Sequence, residues 1–449
     1  MHNTDAHIAG SVIFGFDPVW AAVSILLAVY VVIMMERFNR AVLSLLGAGL
    51  MILCGVITQQ QAVAGIDFNT IGLLTGMMVI VSISQKTGMF QYVAIKSAKA
   101  VKGNPWGILA MLAVVTAVFS AFLDNVTTVL LIAPVTLLIT DTLGVRPYPY
   151  LFAQILASNV GGTATLIGDP PNIMIGSAAG LSFYDFLANL APIIPFIFGV
   201  VLLAIWLMFG RDLHASDEGR ALVMKFEERE AIKDVPLLKK SLAVLFLVLV
   251  SFTASHSLHL EPASIAMFGA AVLLLLQTLG QSLHDKDHAY EGVMAEVEWT
   301  TIFFFVGLFI IVTGVEHTGV IAMLAGKTLE LTGGDFNATV GAVLWVSAIA
   351  SALIDNIPFV ATMIPLIHNM APTFGGADAL LPLWWALALG ACLGGNGSLV
   401  GASANLIVAG FSQRAGYPIA FLTFMKHAFG LMLLSIVISH VYLYVRYLT

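Results

Sequence analysis

Long apolar stretches separated by short polar ones recur along the chain from Val19 to its C-terminus. About 20 such residues with few charges are what a helix needs to cross a bilayer's hydrocarbon core. Spans are predicted near 19–35, 41–57, 68–85, 150–183 and 190–209, then near 240–255, 263–281, 300–315, 382–411 and 424–445. Two more apolar stretches, 105–141 and 338–370, are too long for one span and are interrupted near their centres by Asp124-Asn125 and Asp355-Asn356. Each is predicted to be a re-entrant hairpin returning to its own side, which membranes tolerate only where protein or water surrounds the broken backbone. The expected fold is an all-α polytopic membrane protein. Its units are an extracytoplasmic N-terminus (1–18), a first membrane repeat (19–209), a cytoplasmic linker (210–239) and a second membrane repeat (240–449). The linker's mixed charges predict a solvated connecting helix. Segment 87–103, basic and amphipathic, is expected along the cytoplasmic interface. Trp20, Trp106, Trp299 and Trp384-Trp385 stand near span ends, as interfacial anchors do.

The two halves resemble each other. IGLLTGMMVIVSISQKTG (71–88) aligns with IFFFVGLFIIVTGVEHTG (302–319) at an offset of 231. The same offset aligns SAFLDNVTTVLLIAP (120–134) with SALIDNIPFVATMIP (351–365), and an offset of 233 aligns GGTATLIGDPPN (161–172) with GGNGSLVGASAN (394–405). Each half has about five full crossings. Five is odd, so the second copy is expected upside down relative to the first, the arrangement of secondary transporters with broken helices near the midplane.

Charge sharpens this picture. Only 45 of 449 residues are charged, 19 basic and 26 acidic. That is far below the quarter or so typical of soluble domains. With the N-terminus outside, 17 of the 19 Lys and Arg fall on one face, Arg37 and Arg40 among them, and only Lys327 and Arg446 on the other. The crowded face is then cytoplasmic, and both termini are extracytoplasmic in a cytoplasmic (inner) membrane. A net charge of −7 argues against nucleic acid as a partner. The two cysteines, Cys54 and Cys392, make no disulfide framework or metal motif, and no phosphate-binding loop occurs. No cofactor and no metal site are expected. Residues 1–18 lack Lys and Arg, so no cleavable leader is expected and the first helix is retained.

Candidate chemistry lies where hydrocarbon should forbid it. An ionised Asp at mid-membrane costs about 2.5–3.5 kcal/mol on insertion scales. Asp124 and Asp355 occupy symmetric hairpin tips and are candidates to exchange a proton for another ligand, although each also suits the cap of the following half-helix. The glycine-rich stretch from Asn159 to Asn172 is expected to unwind, with Asp169 capping a half-helix opened by Pro170-Pro171. Ser403 is expected to cap the second copy, where Ala402 faces Asp169. Asp169 is therefore either a third proton site or a better cap. Neutral partners for a solute are Asn125, Thr127, Asn159, Gly162, Thr163, Thr165, Asn172, Asn356, Gly395, Asn396, Ser398, Ser403 and Asn405. No Lys or Arg lies between Lys327 and Arg414, and only Arg146 between Lys102 and Arg211, so no fixed-charge anion clamp is expected. An acidic site without one suits a cation or a neutral polyhydroxy solute.

ASNVGGTATLIGDPPNIMI (157–175), with the FLDN and LIDN tips, resembles the ion transporter superfamily, closest to its ArsB/NhaD-type permeases, the branch that also holds the melanosomal P protein. The resemblance covers essentially the whole chain. It implies one re-entrant hairpin per half, a solute site between the hairpin tips and the broken helices, and a homodimer. The Ser-Asn-Thr motif of dicarboxylate relatives falls on Asp124-Asn125-Val126 and Asp355-Asn356-Ile357, and the titratable replacements favour proton linkage over sodium–dicarboxylate symport. Arsenite or antimonite efflux coupled to protons is the leading expectation, with a cytoplasmic ATPase subunit as a candidate partner. The alternatives are sodium–proton antiport and an anion (inorganic or carboxylate) permease or channel.

Overall fold

In a computed structural model the described residues are 17–35, 37–255, 259–279 and 282–449. Most of the segment expected as an extracytoplasmic N-terminus therefore lies outside the described residues. The described chain is helical throughout, and its helices follow the apolar runs closely. The first half contributes α1 (Pro18–Met34), α2 (Arg40–Leu53), α3 (Phe68–Lys86), α4 (Met89–Ala100), α5 (Pro105–Phe122), α6 (Asn125–Leu143), α7 (Tyr148–Gly162), α8 (Pro170–Ala179) and α9 (Ile194–Phe209). The second contributes α10 (Val235–Thr253), α11 (Pro262–Thr278), α12 (Trp299–His317), α13 (Val320–Leu331), α14 (Phe336–Leu353), α15 (Asn356–His368), α16 (Leu381–Gly394), α17 (Ser403–Arg414) and α18 (Phe421–Leu443).

Among the described residues, eight helices of at least 18 residues are long and apolar enough to cross a membrane. A ninth is obtained if Phe183–Asn189 and Ile194–Phe209, bent by 56°, form one span. Large apolar side chains such as Phe246 (66% exposed) and Phe268 (73%) face outward, as lipid contact requires. This is a multi-pass membrane protein.

Packing repeats with the sequence. The most extensive helix contacts are α5 with α7 and α14 with α16, together with α2 on α12 and α3 on α11. Backbones approach closely at matching glycines. A Cβ on Gly161 would collide with the Ala117 carbonyl, and one on Gly394 with that of Ala348. Ser120 Oγ donates to Ser158 O at 2.6 Å and Ser351 Oγ to Ala391 O at 2.6 Å. The starts of α5 and α7 also meet, with Tyr150 Oη donating to Pro105 O at 3.0 Å. Helix α6 runs back toward that same end, so the chain enters and leaves the α5–α6 pair on one side of the bundle.

Two expectations are corrected here. The linker is not one helix: it holds Asp217–Met224 and a single turn at Glu228–Ala231. Nor is it simply solvated. Lys99 Nζ donates to Phe226 O at 2.8 Å and to Glu228 Oε2 at 2.5 Å, and Lys233 N donates to Thr87 O at 3.0 Å. The Lys99 hydrogen bond holds the Glu228 carboxyl below its usual range, so this tether is complete at neutral pH and is lost as pH falls through the lowered value. Trp384 and Trp385 are buried rather than interfacial, and Trp385 meets Phe186 edge-on at 5.1 Å.

Overpacking at a close approach costs about 1–3 kcal/mol. Gly161→Ala and Gly394→Ala are each expected to lower the melting temperature of purified protein by several degrees, whereas Gly199→Ala, at a position with open space, leaves it unchanged. Equal melting of all three variants would contradict the packing.

Candidate functional site

The two hairpin tips and the two unwound links meet at one place. Helix α7 stops at Gly162 and α8 starts at Pro170, while α16 stops at Gly394 and α17 starts at Ser403. The links are held by their own side chains. Asn172 Nδ2 donates to the carbonyls of Gly162, Thr163 and Thr165 at 3.4, 3.3 and 2.9 Å. Asn405 Nδ2 donates to those of Gly395 and Ser398, both at 2.8 Å. Thr165 and Ser398 donate to Ala121 O and Ala352 O, tying each link to the hairpin beside it. The offset of 233 is thus written into hydrogen bonds as well as letters. A buried carbonyl or N–H left unpaired in this environment would cost several kcal/mol, which explains why amides and hydroxyls cluster here.

The halves are joined by the same side chains. Asn159 Nδ2 donates to Asn396 Oδ1 and Asn405 Oδ1, each at 3.0 Å, and its own Oδ1 accepts from Asn125 Nδ2 at 3.3 Å. Cys392 stands where the second copy would place that asparagine, and its thiol donates to Asn172 Oδ1 at 3.4 Å. Thr163 Oγ1 donates to Asn159 O. Most of the amides expected to meet a solute are therefore already engaged with protein.

The carboxylates behave differently from one another. Asp124 caps α6, accepting from Thr127 N at 2.7 Å and from the Thr127 hydroxyl. Asp355 caps α15, accepting from Ile357 N at 3.1 Å. Asp169 occupies the capping position of α8 yet makes no capping bond. Both its oxygens lie 3.4 Å from Asn356 Nδ2. A better cap is thus not what distinguishes Asp169. In the second copy the capping position belongs to Ala402, not Ser403. Ser403 instead opens the helix and donates to Asp355 Oδ2 at 3.0 Å.

Two functional candidates escaped the sequence reading. Arg40, assigned there to the cytoplasmic face, places Nη1 3.5 Å from Asp355 Oδ2, donates to Ser403 Oγ, and donates through Nη2 to Thr301 Oγ1 at 2.9 Å. Its guanidinium lies over the Phe304 ring, 5.2 Å from the centroid. A fixed positive charge is therefore present, contrary to expectation. Glu298 follows at the start of α12, accepting from Thr301 Oγ1 at 3.0 Å. Neither residue lies in the apolar stretches or the repeated motifs, so no pattern marked them. Arg40, Asp124, Asp169, Glu298, Asn356 and Ser403 line a common cavity with about 10 Å³ of free space, room for one water at most.

A family model described as a citrate transporter (CitMHS) matches residues 30–390. The chain belongs to the citrate transporter family. An uncharacterized transporter of Mycobacterium bovis is 43% identical over 430 residues, covering 95% of this chain and 98% of that one. A 46 kDa membrane protein of Mycobacterium leprae is likewise 43% identical over 432 residues, with the same coverage. The human P protein is 33% identical over 507 residues, covering 95% of this chain and 60% of the P protein. The crystal structure of the Alcanivorax borkumensis YdaH transporter shares the fold, with a TM-score of 0.52, 14% identity, and coverage of 88% of this chain and 91% of that one. Membership of this family makes the chain a transporter rather than an enzyme.

Losing a partner in a buried network costs about 1–3 kcal/mol for each group left unpaired. Asn159→Ala is expected to destabilise the protein more than Cys392→Ala, because it strands two amide oxygens rather than one thiol contact. Thermal melting in detergent checks this order, and a larger loss from Cys392→Ala would contradict it.

Proposed function

We propose that this transporter exchanges protons for a cation or a neutral hydroxylated solute, with arsenite or antimonite as the leading substrate and efflux as the direction. The observation that carries the reading is the balance of charge at the meeting point: three aspartates and one glutamate around a single arginine. If all are ionised the cluster holds three negative charges in excess (four acids less one base). Such a site repels a free polyanion and favours protons, a cation or an uncharged hydrogen-bonding solute. Asp124, Asp169 and Asp355 carry the protons, and a solute displaces or joins them.

The repeated hydrogen bonds and the common end of α5 and α6 support two inverted halves of about five crossings, each with a re-entrant hairpin and a broken helix. On that topology the cytoplasmic face is the one bearing the linker. A homodimer and a cytoplasmic ATPase subunit belong to this proposal as partners, and purification with crosslinking tests both.

A second reading rests on the family's description and on Arg40: a carboxylate such as citrate, held by the guanidinium. Sodium–proton antiport by the same carboxylates is the remaining alternative. Everted membrane vesicles separate them. A pH gradient, acid inside, is expected to drive arsenite accumulation, and neither sodium nor citrate is expected to replace it. Accumulation of citrate or sodium without arsenite would overturn the substrate. Asp124→Asn and Asp355→Asn are each expected to reduce gradient-driven transport at least about tenfold while the protein still inserts, a loss typical of a coupling group. Undiminished flux in both variants would remove the carboxylates from the mechanism.

A further inference from the structure

The two ends of the molecule offer the hairpin tips unequal partners. Helices α3 and α12 are repeat equivalents, and their starts match side chain for side chain. Thr70 Oγ1 donates to Asp67 Oδ2 at 2.5 Å, and Thr301 Oγ1 donates to Glu298 Oε2 at 3.0 Å. Helices α2 and α11 are equivalent as well. Ser44 of α2 lies against Gly307, and Ala266 of α11 lies against Gly76, so the two helices correspond at an offset of 222. That register sets Arg40 opposite Pro262. The second copy has no cation at this position, and its neighbour Glu261 accepts from Asn69 Nδ2 at 3.0 Å. One end therefore pairs an acid with a guanidinium, and the other pairs Asp67 with a second acid nearby.

From this asymmetry we infer that Arg40 is the positioning residue for coupling: it replaces the proton as the partner of Asp355 at its own end of the molecule. The charged groups around it are Asp355, Glu298, Asp124 and Asp169, with no second cation lining the cavity. When Asp355 gives up its proton, the carboxylate is matched by Nη1 at 3.5 Å and by Ser403 Oγ at 3.0 Å. A second cavity of about 300 Å³ reaches Arg40 and Asp355 past Ile33, Phe38 and Leu406 and is the inferred way out for the proton. No other bond changes. Away from Arg40 the tips would meet Pro262 in its place, with Glu261 and His259 lining the cavity beside it, so they favour the protonated or solute-loaded form there. Arg40 thus makes proton release a property of one end, which a coupled exchanger requires. The inference rests on the proton-exchange reading above.

Two measurements test it. In proteoliposomes, Arg40→Gln is expected to lose pH-gradient-driven arsenite accumulation by about tenfold or more. Arg40→Lys, which keeps the charge but loses the fork, is expected to recover part of the driven flux. Equal driven flux in Arg40→Gln and the unmodified protein would overturn the inference, as would a failure of Arg40→Lys to recover any of the loss, which would make Arg40 a structural group. The second measurement needs no solute. Arg40→Gln and Asp355→Asn are each expected to lower the melting temperature of purified protein at neutral pH, and the double variant by less than the sum of the two, because their pairing is lost only once. Strictly additive losses would overturn the role of Arg40 by themselves. Failure of unmodified protein to move arsenite with this non-additivity intact would overturn only the substrate.

Discussion

Backbone that leaves a helix at membrane depth has to find its hydrogen-bond partners within the protein, and the rest of this structure depends on that constraint. Two links are unwound, 163–169 and 395–402. Asn172 and Asn405 each reach back across their own link to the carbonyls it exposes. Asn159 then joins both halves, because its amide donates to two asparagines of the second copy. With the amides engaged in this way, the hairpin tips are held at the break and their carboxylates are the groups left to handle charge. A site assembled from broken helices can remain buried only because these few side chains make it self-sufficient.

The charge arrangement follows from the same geometry. Capping places Asp124 and Asp355 at the starts of α6 and α15, where free backbone N–H groups and the helix dipole stabilise a carboxylate. Asp169 has no such support and depends on the Asn356 amide. Arg40 pairs with one of the cluster's acids, Asp355, at 3.5 Å. The cavity between them has only about 10 Å³ of free space, which leaves little room for water to screen these interactions.

Much of this was legible in the letters. Apolar runs located the helices to within a few residues, and the repeated Asp-Asn and glycine-rich motifs located the tips and the links. Asp124 and Asp355 were identifiable because a charge in hydrocarbon is conspicuous. Arg40 was not, because a basic residue beside Arg37 at a span end looks like one more cytoplasmic charge, and only tertiary packing turns it toward Asp355. The asparagines were visible as polar groups, but their partners were not, so amides that hold backbone together could be read as amides waiting for a solute. Ser403 shows the same limit at smaller scale: a one-residue shift in where the helix begins exchanges a cap for an ion-pair ligand. Trp384 and Trp385 carried an interfacial composition into a buried position because hydropathy does not show which face of a helix meets lipid.

Exchange of protons for solute through one acid-rich site is the proposed activity. It is tested most directly by recording both fluxes together in proteoliposomes, with a pH-sensitive dye and arsenite analysis on the same sample. Adding arsenite on one side of a membrane with no initial gradient is expected to move protons the opposite way in fixed proportion, and Asp355→Asn is expected to abolish both movements. Arsenite flux unaccompanied by protons would contradict the account.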